Sequence, residues 1–509
     1  MLDTFTLDGS ALTIAQVAAV ARGDATLDLS PAARERLAGS RAVVDRLLDD
    51  GEPHYGVNTG FGSLARTRIP GDQLRALQLN LVRSHDAGVG APLSRRIVRA
   101  TMTLLAASLA RGASGVRPVV VERIIALLDA DLVPIVPAIG SVGASGDLAP
   151  LAAIARVLIG EGRVWPSGTA DPQPAADVLR QAGIVPLGLE AKEGLALING
   201  THLMAAEGVC LLDDWDRLWP AALLACAMSI DAVKATDAFL DARVHALRAQ
   251  PGPAAVAAQL RALLSGTTIV ASHRVNDDRV QDPYSFRCAP PVLGAAGDAV
   301  AYVREAIVHE LGAVTDNPLI VSGATMPEAD ALVSAGNFHG LPVALPLDVL
   351  AVALSHVAGI AQQRVFFMLS ARDAESGLPP YLSPSPGLNS GLMVAQYTAA
   401  ACCNEIVGLA APATVVNLPT SAGIEDYNSF GPRAAAKARR ALALTRTVVA
   451  IELLCAAQAL DRHRPLRSGD AVERGHARIR EVVAPLTADR ALTADIEAID
   501  VLIDAGAFS

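Results

Sequence analysis

Residues 434–462 run for almost thirty positions without a Gly or a Pro, a length that suits one long helix. The same 3.6-residue rhythm recurs elsewhere. Val300, Val303, Ile307 and Leu311 fall on one face, while Arg304, Glu305 and Glu310 fall elsewhere. Strand signals are few and short, and neither a repeat nor a low-complexity tract is visible. The chain is 51% apolar but only 4% aromatic, so Ala, Leu and Val supply its core, as in helices buried on several sides. A mostly α fold follows, with an N-terminal helical region over residues 1–200 and a bundle of long helices over 201–509.

Bulk properties exclude several functions. A net charge of −10 argues against a nucleic-acid partner, which would need a basic face. The longest apolar runs, 341–362 and 448–460, carry Asp348 and His356 in one and Glu452 and Gln458 in the other, so no membrane-spanning segment is expected. The first residues show no basic and apolar leader. Six cysteines without a Cys-x-x-Cys pair suggest reduced thiols and a cytoplasmic setting. Ten histidines show no metal-ligand spacing, so no metal site is expected.

Gly and Pro gather in a few loops, notably 55–62, 134–150, 282–284 and 378–380, and loops on a rigid scaffold commonly carry chemistry. Within the second lies Gly143-Ala144-Ser145-Gly146-Asp147-Leu148-Ala149-Pro150. If a tight turn brings the Gly146 nitrogen onto the Ala144 carbonyl, the ring closes. Loss of water, including the Ser145 hydroxyl, then leaves a conjugated exocyclic methylene, a strong electrophile. Glycine suits the step because nothing shields its nitrogen. The plainer reading is a helix start capped by Ser145 or Asp147. Ala113-Ser114-Gly115 repeats the tripeptide, so three residues alone decide little; only 144–146 is followed by Asp-Leu-Ala-Pro.

That octapeptide resembles the signature of the aromatic amino acid ammonia-lyases and aminomutases, which cyclise it to 4-methylidene-imidazole-5-one (MIO). Similar blocks stand in the family's order at 55–62, 84–85, 193–201, 280–288, 315–319, 336–340 and 418–426. The resemblance implies a carbon–nitrogen lyase of the ammonia-lyase/fumarase-like helical type, with MIO made from Ala144, Ser145 and Gly146 and no added cofactor. It also implies a homotetramer whose active sites are shared between subunits, so that Tyr55, Asn199 and Phe338 need not come from one chain.

The same resemblance supplies roles. Tyr55 matches the general base, although tyrosine ordinarily titrates near ~10, so the site must favour its phenolate. Tyr284 matches a second tyrosine near MIO. Arg287 matches the clamp on the substrate carboxylate, a task suited to a planar fork. Asn199 and Gln281 match polar groups around the carboxylate and the MIO oxygen, and Phe338 an aromatic packed on MIO. Capping, surface charge and core filling are their plainer readings.

His85, after Ser84, and Glu425 match the ring-binding positions. A phenyl ring would leave both unpaired, at about 1–3 kcal/mol per buried group, which disfavours phenylalanine as sole substrate. Glu425 and the 280–285 block favour histidine. Ile424-Glu425-Asp426-Tyr427 and Gly200-Thr201-His202 depart from what histidine lyases usually carry. The main expectation is L-tyrosine to p-coumarate, with room for L-phenylalanine to cinnamate. The alternative is L-histidine to urocanate, and a second alternative is an aromatic 2,3-aminomutase. A fumarase-like lyase without MIO and an inactive scaffold are the rivals; the scaffold would be expected to lose Tyr55, Ser145 or Arg287, and all three are present.

Overall fold

The computed structural model describes residues 2–275, 277, 279–321 and 331–508. It is mostly helical, with strands confined to short two- and three-stranded pieces, the class the sequence predicts. The run at 434–462 lies in the helix Gly431–Leu460 and the single turn Asp461–His463 that follows it. Val300, Val303, Ile307 and Leu311 are buried along Ala289–Leu311. Glu310, off that face, is half-buried and accepts a short hydrogen bond from Thr201 Oγ1.

The chain forms two compact units. One comprises Met1–Asp213, Arg304–Leu347 and Ala413–Ala436; the other comprises Asp214–Val303, Asp348–Pro412 and Lys437–Ser509. A single division near residue 200 does not describe this interleaving. Long helices such as His202–Ala232 and Gly431–Leu460 begin in one unit and end in the other, and helical periodicity alone does not reveal where a helix changes unit.

In the first unit, three helices pack against one another: Leu74–His85, Leu148–Leu158 and Glu193–Ile198. Gln78 is fully buried, and its Oε1 accepts from the backbone N–H of Gly194 (2.9 Å) and Leu195 (3.3 Å). One helix thus satisfies the orphan donors at the start of another. A Cβ at Gly194 would fall 2.9 Å from the Gln78 carbonyl, so this close crossing requires glycine. The packing brings three chain positions together: His85 at one helix end, Gly146 just before the second helix, and Asn199 just after the third. Lys192 and Asp316, both buried, pair at 2.8 Å beneath them.

The second unit also holds buried charge. Arg364 pairs with Glu452, and Lys437 Nζ lies 3.1 Å from Asp348 Oδ1. These pairs sit on two long apolar helices. By length and composition, Leu341–Ser370 and Gly431–His463 could each cross a bilayer. Burial inside the protein, 67% and 83% of their most apolar windows, accounts for that composition.

Lys192→Met strands Asp316 as an unpaired buried carboxylate and should cost about 3–5 kcal/mol, read as a lower urea midpoint. Adding Asp316→Asn should recover part of the loss.

Candidate active site

A cavity of about 550 Å³ opens in the first unit, lined by Tyr55, His85, Ser145, Asn199, Phe338 and Glu425 among others. A larger hollow of about 830 Å³ beside Trp219 and Phe508 in the second unit contains none of the expected groups.

Ser145 sits at the cavity wall because its loop is gripped from both sides. Gly146 has φ +71°, and a Cβ there would lie 2.1 Å from the Gly200 carbonyl oxygen. The Asp147 N–H donates to that same oxygen (2.8 Å), and the Gly200 N–H to Ser145 O (3.4 Å). On the other flank, Ser429 Oγ donates to Gly143 O (3.0 Å) and the Phe430 N–H to Val142 O (2.9 Å). Asp147 is wholly buried. Its Oδ2 accepts from the N–H of Leu203 (2.9 Å) and Met204 (3.1 Å), capping the helix His202–Ala232 from outside the chain segment. Desolvation pushes its carboxyl up to about 7, against the pull of these hydrogen bonds. The second copy of the tripeptide is placed quite differently. Ser114 is fully buried in the core, and Ala113 O accepts from the Ile320 N–H; it has no access to the cavity.

Around Ser145 the polar groups are few and placed. Ser145 Oγ donates to Glu425 Oε1 (3.1 Å), and Thr420 Oγ1 donates to Glu425 Oε2 (2.9 Å). His85 Nδ1 lies 2.8 Å from the Leu81 carbonyl, which makes Nδ1 the protonated nitrogen and leaves Nε2 as an acceptor. Asn199 Nδ2 donates to Asn317 O (3.1 Å), while its buried Oδ1 has no partner. Tyr55 receives one weak donor, the Gly62 N–H at 3.4 Å. Burial pushes its phenol up, and the negative charges of Glu425 and Asp316 add to the rise. Within one chain the site therefore opposes the phenolate that the sequence reading called for.

Tyr55, Asn199 and Phe338 line a single chain's cavity, whereas the sequence reading allowed them to come from different subunits. Gln281, Tyr284 and Arg287 are not among its lining residues. They lie in the second unit on an exposed segment, with Arg287 Nη2 donating to Gln281 Oε1 (2.8 Å) and its guanidinium 4.4 Å from the Tyr284 ring centre. Among the described residues no Lys or Arg lines the cavity. Asn317 and His339 line it without having been given a role from sequence, as does Tyr427, which was noted only as a departure from the histidine-lyase pattern. The first two stand in blocks that matched the family and Tyr427 directly follows one, so block membership was the available signal.

A tight electrophilic ring needs a loop without side-chain obstruction and unspent polar atoms nearby. The glycine-to-glycine contact and the orphan Asn199 Oδ1 fit MIO at 144–146.

The chain matches the family model described as aromatic amino acid lyase over residues 12–481. It is 51% identical to a histidine ammonia-lyase of Anaeromyxobacter dehalogenans over 99% of both chains, and five further relatives at 44–50% identity carry the same name. The crystal structure of histidine ammonia-lyase from Trypanosoma cruzi superposes with a TM-score of 0.91 at 37% identity, covering 99% of this chain and 94% of that one. A tyrosine aminomutase from Streptomyces globisporus gives 0.92 at 34%, covering 99% and 97%. The names of the full-length relatives overturn the expectation of L-tyrosine as main substrate.

Gly146→Ala combines a left-handed φ with a clash against backbone, so it should lower the thermal midpoint well beyond Gly183→Ala. Gly183 has φ +68° but nothing within 4 Å of its Cβ position, and its substitution should cost only about 1–2 kcal/mol.

Proposed function

Because the chain belongs to the aromatic amino acid lyase family, we propose that it eliminates ammonia from L-histidine to give urocanate. As a family member it is a carbon–nitrogen lyase acting on a small-molecule amino acid. Glu425 carries the choice of ring. Its carboxylate, beside Ser145 and held by Thr420, accepts an imidazole N–H, while His85 Nε2 offers a second polar contact at the ring. An imidazolium, with an N–H for each acceptor, satisfies both; a hydrocarbon ring satisfies neither. The relatives' identity over the full chain supports the same ring.

The remaining roles follow as proposals. Tyr55 Oη takes the β-proton, Asn199 and Asn317 present amides to the substrate's polar end, and Phe338 packs on the ring formed at 144–146. When formed, MIO supplies the electron sink that no ordinary side chain offers. The α-carboxylate requires a fixed cation, which the cavity lacks. Arg287, with Gln281 beside it, provides one from another subunit. That cation also favours the Tyr55 phenolate, which the single chain disfavours. A homotetramer agrees with the exposed apolar side chains Val394, Tyr397 and Val407 on the helix Met393–Leu409. The unbridged thiols agree with a cytoplasmic enzyme.

Purified protein given L-His, L-Tyr and L-Phe separately should form urocanate fastest; p-coumarate or a β-amino acid as the dominant product would overturn the assignment. Tyr55→Phe should lower kcat by about 10²–10⁴-fold, and Ser145→Ala should remove the near-ultraviolet absorbance of MIO. Light scattering should give four times the chain mass.

The pH profile tests the base. A phenol held above its ordinary value must be deprotonated to act, so kcat/KM should rise with pH on the alkaline side of neutrality. Glu425 raises the Tyr55 pKa; Glu425→Gln should therefore shift that rising limb to lower pH, apart from any loss in binding.

A further inference from the structure

The segment that carries Tyr284 and Arg287 is a four-residue helix, Tyr284–Arg287, too short to hold itself in place. Several contacts restrain it. Arg287 Nε donates to Asp282 O (2.9 Å). Asp282, buried, accepts from the backbone and hydroxyl of Thr236 and pairs with Arg279, which also pairs with Asp373. The ring of Phe286, fully buried, meets Phe367 edge-on at 5.4 Å. One further contact comes from a deeply buried charge. Arg364, 1% exposed, gives Nε and Nη2 to the two oxygens of Glu452 (2.5 and 2.9 Å). Ser229 Oγ donates to the same carboxylate (2.8 Å). The third arm, Nη1, reaches the Ser285 carbonyl at 3.3 Å, between Tyr284 and Arg287.

Taking two charges out of water offsets most of their attraction, and an apolar pair of the same size would commonly serve stability as well. What an apolar pair does not supply is an N–H for Ser285. A lysine could keep the charge pairing, yet its point-like ammonium lacks the fork that serves Glu452 on one side and a backbone carbonyl on the other.

We propose that Arg364, fixed by Glu452 and Ser229, is a positioning residue that sets the Tyr284–Arg287 segment so that Arg287 meets the substrate carboxylate. The inference rests on the reading of Arg287 as that clamp. Arg364 acts on binding of the acid end of the substrate and leaves the ring end alone.

Two competitive inhibitors separate the ends: imidazole, which has only the ring, and imidazolepropionate, which adds the carboxylate. Arg364→Lys should raise KM for L-histidine and Ki for imidazolepropionate by about tenfold. Ki for imidazole and MIO absorbance per milligram should stay within about twofold. Arg287→Lys is the control and should show the same pattern; if it does not discriminate between the inhibitors, the clamp reading falls. If Arg287→Lys discriminates while Arg364→Lys does not, or weakens both inhibitors alike, the positioning role is overturned. Should Arg364→Lys fail to fold, Ser229→Ala is read instead. It should move imidazolepropionate alone, by a smaller factor, and an unchanged ratio of the two Ki values would refute the proposal.

Discussion

Two backbones meet without a side chain between them where Gly146 lies against Gly200, and the rest of the site is arranged around that contact. The approach of a Cβ position to within 2.1 Å of a carbonyl oxygen is possible only because residue 146 has no Cβ. Asp147 then uses the proximity. Its carboxylate caps the helix His202–Ala232, so the reactive tripeptide and the start of a long helix hold each other. Burying that acid is costly, as its upward-shifted pKa shows. The cost is offset by satisfying helix donors that would otherwise be orphaned.

Charge is distributed unevenly over the chain. The cavity carries Glu425 and Asp426 and no fixed cation among the described residues, while Arg287 stands half-buried on a segment of the second unit. On the proposed reading, each chain contributes a ring-binding cavity and, separately, an acid-binding edge. This division explains why Tyr55 is unfavourably placed for ionisation in the isolated chain. It would also account for the deep burial of Asp282, Phe286 and Arg364, which support the Arg287 segment: a clamp that must meet another molecule's cavity has to be held from behind.

Much of this was legible in the sequence, and what was not has identifiable causes. Helical rhythm gave the fold class, and Asp-Leu-Ala-Pro separated residues 144–146 from the copy at 113–115, whose serine lies sealed in the core. Ring choice was misread because weight went to departures from the usual histidine-lyase residues at 424–427 and at His202. In the structure His202 is buried beneath the Gly200 turn, beside Arg111, Glu310 and Thr315, and does not line the cavity. Its departure from the usual residue says nothing about the ring. Ion pairs such as Arg364–Glu452 join residues 88 positions apart, and no local pattern announces them. The interleaved units escaped notice for a related reason, since each is assembled from three distant stretches.

The missing cation in the cavity has a consequence for how such an enzyme behaves in dilute solution. On the proposed reading, a lone chain would grip the ring of its substrate and leave the acid end in water, and catalysis would be tied to assembly by mass action. As the protein is diluted, turnover per chain would fade along the dissociation curve of the oligomer, with every helix still folded. The quaternary equilibrium, rather than the folding equilibrium, would then set the lowest concentration at which the chain works.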